Sequence, residues 1–227
     1  MFARKLICAL SAALLVSAVP APDAITDCST APAEMDLAAG QTQLVSPTTA
    51  PLFVALGVGV QNYTCTATTS KYTSTGAVAS LFDISCLDKF APAFEEIQTI
   101  AFDVWKLLPA SAPPLSPIIP LIHSNQFHYF ITSPSGAGIS PKWDFTSTGK
   151  FAGDASAFVL GAKVGDIVAP TNPATNIDWL ALNNAGNGGT LANHIFRIDT
   201  VNGQPPTSCT PGSADISVKY TAKYFLY

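Results

Sequence analysis

The residue types that could do chemistry gather in four short segments: His128-Tyr129-Phe130, Lys142-Trp143-Asp144-Phe145, Asp178-Trp179, and Arg197 with Asp199. An imidazole among aromatic rings can exchange a proton near neutral pH, or can serve as a buried packing group. Arg197 is the sole arginine after residue 4, and its planar fork suits a carboxylate or a sugar hydroxyl. On a strand, residues two apart share a face, so Arg197 could equally spend its charge on Asp199. Trp143 and Trp179 can be core or ligand platforms. Between His128 and Asp144 an aromatic strand, a Ser/Pro/Gly loop (133–141) and a Lys-Trp-Asp strand start follow one another, placing adaptable backbone beside rigid groups. The candidate ligand-binding set is therefore His128, Trp143, Asp144 and Arg197, and no residue is assigned a catalytic role.

Other chemistries find little support. Gly57-Val58-Gly59 resembles the start of a dinucleotide fingerprint, but position 62 is Asn and no βαβ unit surrounds it. Gly149-Lys150 lacks the rest of a phosphate loop, with Asp144 and Phe151 at the key positions. No nucleophile elbow occurs, and Ser133 and Ser135 read as turn residues. Asp144, Asp154, Asp166 and Asp178 could supply a carboxylate pair for glycoside hydrolysis, at a separation that sequence does not fix. No Cys-x-x-Cys pair exists and the only histidines are His123, His128 and His194, so neither metal nor cofactor is expected.

The elements that must position these residues are mostly strands. Segments 52–68, 77–84, 127–132, 142–146, 157–160, 179–183, 192–201 and 217–227 are β-branched, aromatic and bounded by turn residues. They predict a mainly β protein, an antiparallel β-sandwich or barrel. In the seventh segment His194, Phe196 and Ile198 share one face and Ile195, Arg197 and Asp199 the other, before an Asn202-Gly203 turn. Residues 92–108 break the pattern: Phe94, Ile97, Ala101, Val104 and Leu108 recur at helical spacing, with Pro92 in the first turn and Glu95 and Glu96 placed for the dipole. A proline-rich connector follows at 109–120. This helix should lie on a sheet face or over a barrel mouth.

Of the 227 residues, 1–21 read as a secretory leader, 22–50 as an N-terminal arm and 51–227 as a single β domain. Beyond residue 21 the net charge is about −6, against electrostatic binding to nucleic acid or anionic lipid. Mean hydropathy is +0.32 with no second run long enough to span a bilayer, and no membrane anchor is expected. Cys28, Cys65, Cys86 and Cys209 remain after the leader and predict two disulfides. Of the three possible pairings, Cys65 with Cys86 and Cys28 with Cys209 is preferred, since the first flanks a hairpin-sized segment. Asn62-Tyr63-Thr64 is the one N-glycosylation sequon.

VALGVGVQNYTC (54–65), GAVASLFDISC (76–86), HYFITSPSGAGISPKWDFTSTGKFAG (128–153), VGDIVAPTNPATNIDWLALNN (164–184) and HIFRIDTVNGQPPTSCTPG (194–212), with VKYTAKYFLY at the C-terminus, resemble the secreted fungal family catalogued as domain of unknown function 3455. The likeness spans most of residues 50–227. Members often carry a malate dehydrogenase-like label, which the residues do not support: no dinucleotide fingerprint and no arginine-rich dicarboxylate site around a histidine is found. The resemblance implies an extracellular β-protein and supplies no catalytic residue. The leading expectation is a secreted, non-catalytic protein that binds the cell wall, a carbohydrate or an apolar small molecule. The alternative is a secreted enzyme, a hydrolase or a shape-driven cyclase.

Overall fold

Strand alternation decides the architecture. The computed structural model describes residues 29–31, 33–109 and 124–227, so the leader, Cys28, His123 and nearly all of the proline-rich connector lie outside the described residues. Eight strands run β1 (Phe53–Thr66), β2 (Lys71–Asp83), β3 (Ser124–Thr132), β4 (Ile139–Asp144), β5 (Phe158–Ile167), β6 (Trp179–Asn184), β7 (His194–Asn202) and β8 (Ile216–Leu226). Each pairs antiparallel with its neighbours in sequence, and β8 pairs with β1 from Phe53–Leu226 to Tyr63–Ile216, closing a barrel. Of the two predicted architectures it is the barrel that forms, which leaves no sheet edge exposed.

Both faces of the wall are apolar where the helix covers it. Along β1, Phe53 and Ala55 point into the barrel while Val54, Leu56 and Val58 point out; along β8, Tyr220, Ala222, Tyr224 and Leu226 point in while Phe225 points out. The outward set joins Phe94, Ile97, Ala101 and Trp105 of α1 (Ala91–Trp105) in a second core. The helix thus lies on the outer wall and not over a mouth. Polar groups fix it there: Trp105 Nε1 donates to Gly59 O at 3.0 Å, Thr221 Oγ1 to Gln98 O at 2.7 Å, and Lys219 Nζ to the carbonyls of Trp105, Lys106 and Leu108 at the helix C-terminus. Because the helix begins at Ala91, Glu95 and Glu96 fall in its second turn, and no acid occupies the first. Residues 33–50 pack on the same outer core through Ala33, Met35 and Leu44.

One disulfide within the described residues joins Cys65 to Cys209, which corrects both preferred pairs, Cys65–Cys86 and Cys28–Cys209. The reason is hairpin geometry. Cys65 faces Tyr72 beside the β1–β2 turn, whereas Cys86 follows the far end of β2, at the opposite end of the barrel. Cys86 is itself disulfide-bonded, to a partner outside the described residues.

Candidate functional site

The two ends of the barrel differ. At the end where β1 begins, Phe53, Phe145 and Phe151 pack with ring centroids 5.4 to 6.2 Å apart and seal the interior. At the other end, Arg197 and Leu180 face inward, since Arg197 follows the inward Ile195 by two and pairs with both Leu180 and the inward Tyr224. Both stay partly exposed.

Between plug and opening the inner face is aromatic and polar. His128 stacks on Trp143 with centroids 4.6 Å apart and planes 22° from parallel, and Tyr224 lies 5.4 Å from the imidazole and 5.6 Å from the indole. Gly57 allows this packing, because a Cβ there would overlap the Tyr224 ring; Gly59 sits against Val78 O and Ala79 in the same way. The glycine pair that resembles the start of a dinucleotide fingerprint is therefore mid-strand packing. Tyr220 and Tyr224 share a hydroxyl–hydroxyl hydrogen bond of 2.9 Å, and Tyr63 donates to Gly203 O at 2.7 Å. Gln61 lies beside Tyr220.

Burial governs the protonation states. His128 is pushed down to about 3, mainly by burial and further by the Arg197 charge, against the opposing pull of its bond to Lys142 O. That carbonyl can only accept, so Nδ1 carries the proton and Nε2 is the ring's acceptor. Burial raises Tyr63 to about 12 and pushes up Tyr220 and Tyr224, with Arg197 opposing in each case. The interior therefore holds neutral phenols, a neutral imidazole and one guanidinium.

Arg197 donates through Nε and Nη2 to Asp178 O, at 3.1 and 2.8 Å. The Asp178 carboxyl accepts from Gln204 Nε2 instead, and burial raises its pKa against the pull of Arg197 and Lys163. The expected Arg197–Asp199 ion pair does not form. A bulge between Ile198 and Val201, with Asp199 at φ +50°, turns that carboxylate outward onto the buried Lys223 at 2.9 Å. Among the described residues Trp143 Nε1 has no acceptor on the inner face, Gln61 Nε2 has only the Tyr220 hydroxyl beside it, and Gln126 Oε1, toward the sealed end, has no donor.

His128, Trp143 and Arg197 of the candidate set thus meet on the inner face, whereas Asp144 lies outside it. Its carboxylate accepts from Tyr129 Oη at 2.6 Å and Thr146 Oγ1 at 2.7 Å and pairs with Lys142 at 2.8 Å. Burial pushes its pKa up, but these bonds prevail and hold it well below the ordinary carboxylate range. Strand parity explains the separation, because adjacent Trp143 and Asp144 must face opposite ways. Of the other carboxylates, Asp154 accepts from Ser156 near the sealed end, while Asp166, paired with Lys163 at 2.6 Å, approaches Asp178 at the open end closely enough for its charge to be felt. His194 bonds Asn183 Oδ1 on the surface.

Gln61, Tyr63, Tyr220 and Tyr224 were not singled out from sequence. Their signal was the two-residue repeat Gly57, Gly59, Gln61, Tyr63 in β1 and Tyr220, Ala222, Tyr224 in β8, where small residues and polar-tipped rings share one face.

A family model described as protein of unknown function (DUF3455) matches residues 46–227, and the chain belongs to that family. The match covers the arm's end and the whole barrel. No curated protein and no solved structure matches the chain.

Proposed function

We propose that this chain is a secreted, non-catalytic binding protein whose barrel takes up a small, oxygen-bearing ligand at its open end. The observation that carries the reading is the set of inward donors: among the described residues Trp143 Nε1 is buried without an acceptor, Gln61 Nε2 has only the Tyr220 hydroxyl beside it, and the partly exposed Arg197 has no carboxylate within ion-pair distance. Buried polar groups left unpaired cost about 1 to 3 kcal/mol each, so such groups on the inner wall favour a ligand that supplies acceptors. Sugar hydroxyls and carboxylate oxygens both qualify. An eight-stranded barrel is just wide enough for its inner side chains to fill or to hold one small ligand.

Binding is favoured over proton-transfer catalysis by His128. A base held to about 3 is weak at neutral pH, far from the matched value that general-base work requires. A nicotinamide role is opposed by β1, whose paired glycines sit against Tyr224 and Ala79 instead of opening a helix N-terminus. The residue 1–21 leader pattern and the disulfides support export.

The test is a thermal-shift and tryptophan-fluorescence screen of monosaccharides, oligosaccharides and small organic acids on the mature protein, each hit repeated with Arg197→Gln. A hit weakened at least about tenfold by Arg197→Gln is expected, the loss of one charge-assisted hydrogen bond. Hits indifferent to that change would move the site off the inner wall.

A further inference from the structure

The sequon Asn62-Tyr63-Thr64 lies where β1 runs out beyond the end of α1. Tyr63 points into the barrel, so Asn62 and Thr64 point outward, and both are half-buried. Ser217 Oγ donates to Asn62 Oδ1 at 2.7 Å, which fixes the amide and leaves Nδ2 with no partner among the described residues. Ser217 also lines an open groove of about 630 Å³, whose walls include Phe102 of the helix, Lys106 at its C-cap, and Pro205 and Pro206 of the β7–β8 loop. Aromatic and prolyl faces beside lysine and hydroxyl groups are surfaces on which pyranose rings stack and bond.

The disulfide bears on whether the sequon can be used. Had Cys65 paired with Cys86, a short loop could close around Thr64 soon after its synthesis. Its partner is Cys209, 144 residues downstream, so the native bond cannot form until nearly the whole chain has been made. Asn62 therefore emerges in an open segment, the state in which an oligosaccharide is transferred.

We propose that Asn62 is an N-glycosylation site and that the groove beside Ser217 seats the first sugars of its glycan. The glycan covers the apolar floor between α1 and the β7–β8 loop, which the described residues leave open. This assignment does not depend on a ligand inside the barrel.

The test uses the full chain with its own leader, expressed in a eukaryotic secretory host. Treatment of the denatured product with peptide N-glycosidase should increase its mobility, and Asn62→Gln and Thr64→Ala should each abolish that shift. A secreted wild-type protein without the shift overturns the site. Seating is read from the rate of endoglycosidase release on the folded protein, which should be at least about tenfold slower than on the denatured one and recover in Phe102→Ala and Pro206→Ser. Pro206 lies on an exposed loop, so its variant keeps the fold if Phe102→Ala does not. Equal release rates from folded and denatured wild type, or slow release that neither variant changes, overturns the groove as the glycan's seat.

Discussion

A neutral imidazole buried between an indole and a phenol ties stability to pH. His128 falls from an ordinary value of 6.5 to about 3 on folding. Between those values the unfolded chain binds a proton that the folded chain refuses, so the contribution is complete above 6.5 and is lost as pH drops toward 3, at roughly 1.4 kcal/mol per pH unit. Urea titrations from pH 6.5 to 4.5 on wild type and His128→Phe should differ by that slope. Parallel pH profiles would mean that His128 titrates normally and is not sequestered. At this scale sequence was informative about type and weak about direction: His128, Trp143 and Arg197 converge, but Asp144 was grouped with them from the other face of its strand, and Asp199 was placed with Arg197 on one face. Simple alternation excluded Asp144, whereas the bulge that turns Asp199 onto Lys223 leaves no reliable mark in the sequence.

The elements were legible because each strand carries its own pattern. All eight β segments form, and the helix lies within a few residues of its predicted span, from Ala91 instead of residue 92 and ending at Trp105. Closure was not legible, since the β1–β8 pairing joins segments over 150 residues apart and both faces of β1 are apolar. The helix explains that double apolarity. It is held by a polar row on β8: Lys219 at its C-terminal carbonyls, Thr221 at Gln98, and Lys223, 2 % exposed, between Asp199 and the Phe94 ring. Removing one member of a buried ion pair strands the other, so Lys223→Ala should cost about 3 kcal/mol in chemical denaturation. Lys219→Ala removes a half-buried cation from the helix C-terminal carbonyls and should cost about 1 kcal/mol. If the two losses are equal and small, the helix is held by apolar packing alone.

Over the whole molecule, the Cys65–Cys209 bond ties the end of β1 to the long β7–β8 connection beside the open end. Such a crosslink restricts the unfolded chain, and replacing both cysteines by serine should lower stability by about 3 kcal/mol. Non-reducing peptide mapping should recover the Cys65 and Cys209 peptides joined; a Cys65–Cys86 peptide would contradict the hairpin geometry. The barrel's asymmetry underlies the functional reading, with a phenylalanine plug at one end and inward donors short of acceptors toward the other. The most direct measurement is NMR of the mature protein with carbon-13 in its tyrosine rings, titrated with the strongest hit of the ligand screen. Tyr63, Tyr220 and Tyr224, on the inner wall, should shift in saturable fashion while Tyr129, on the outer wall against Asp144, stays fixed. Shifts confined to Tyr129, with the three inner tyrosines unmoved at saturation, would contradict a ligand site inside the barrel.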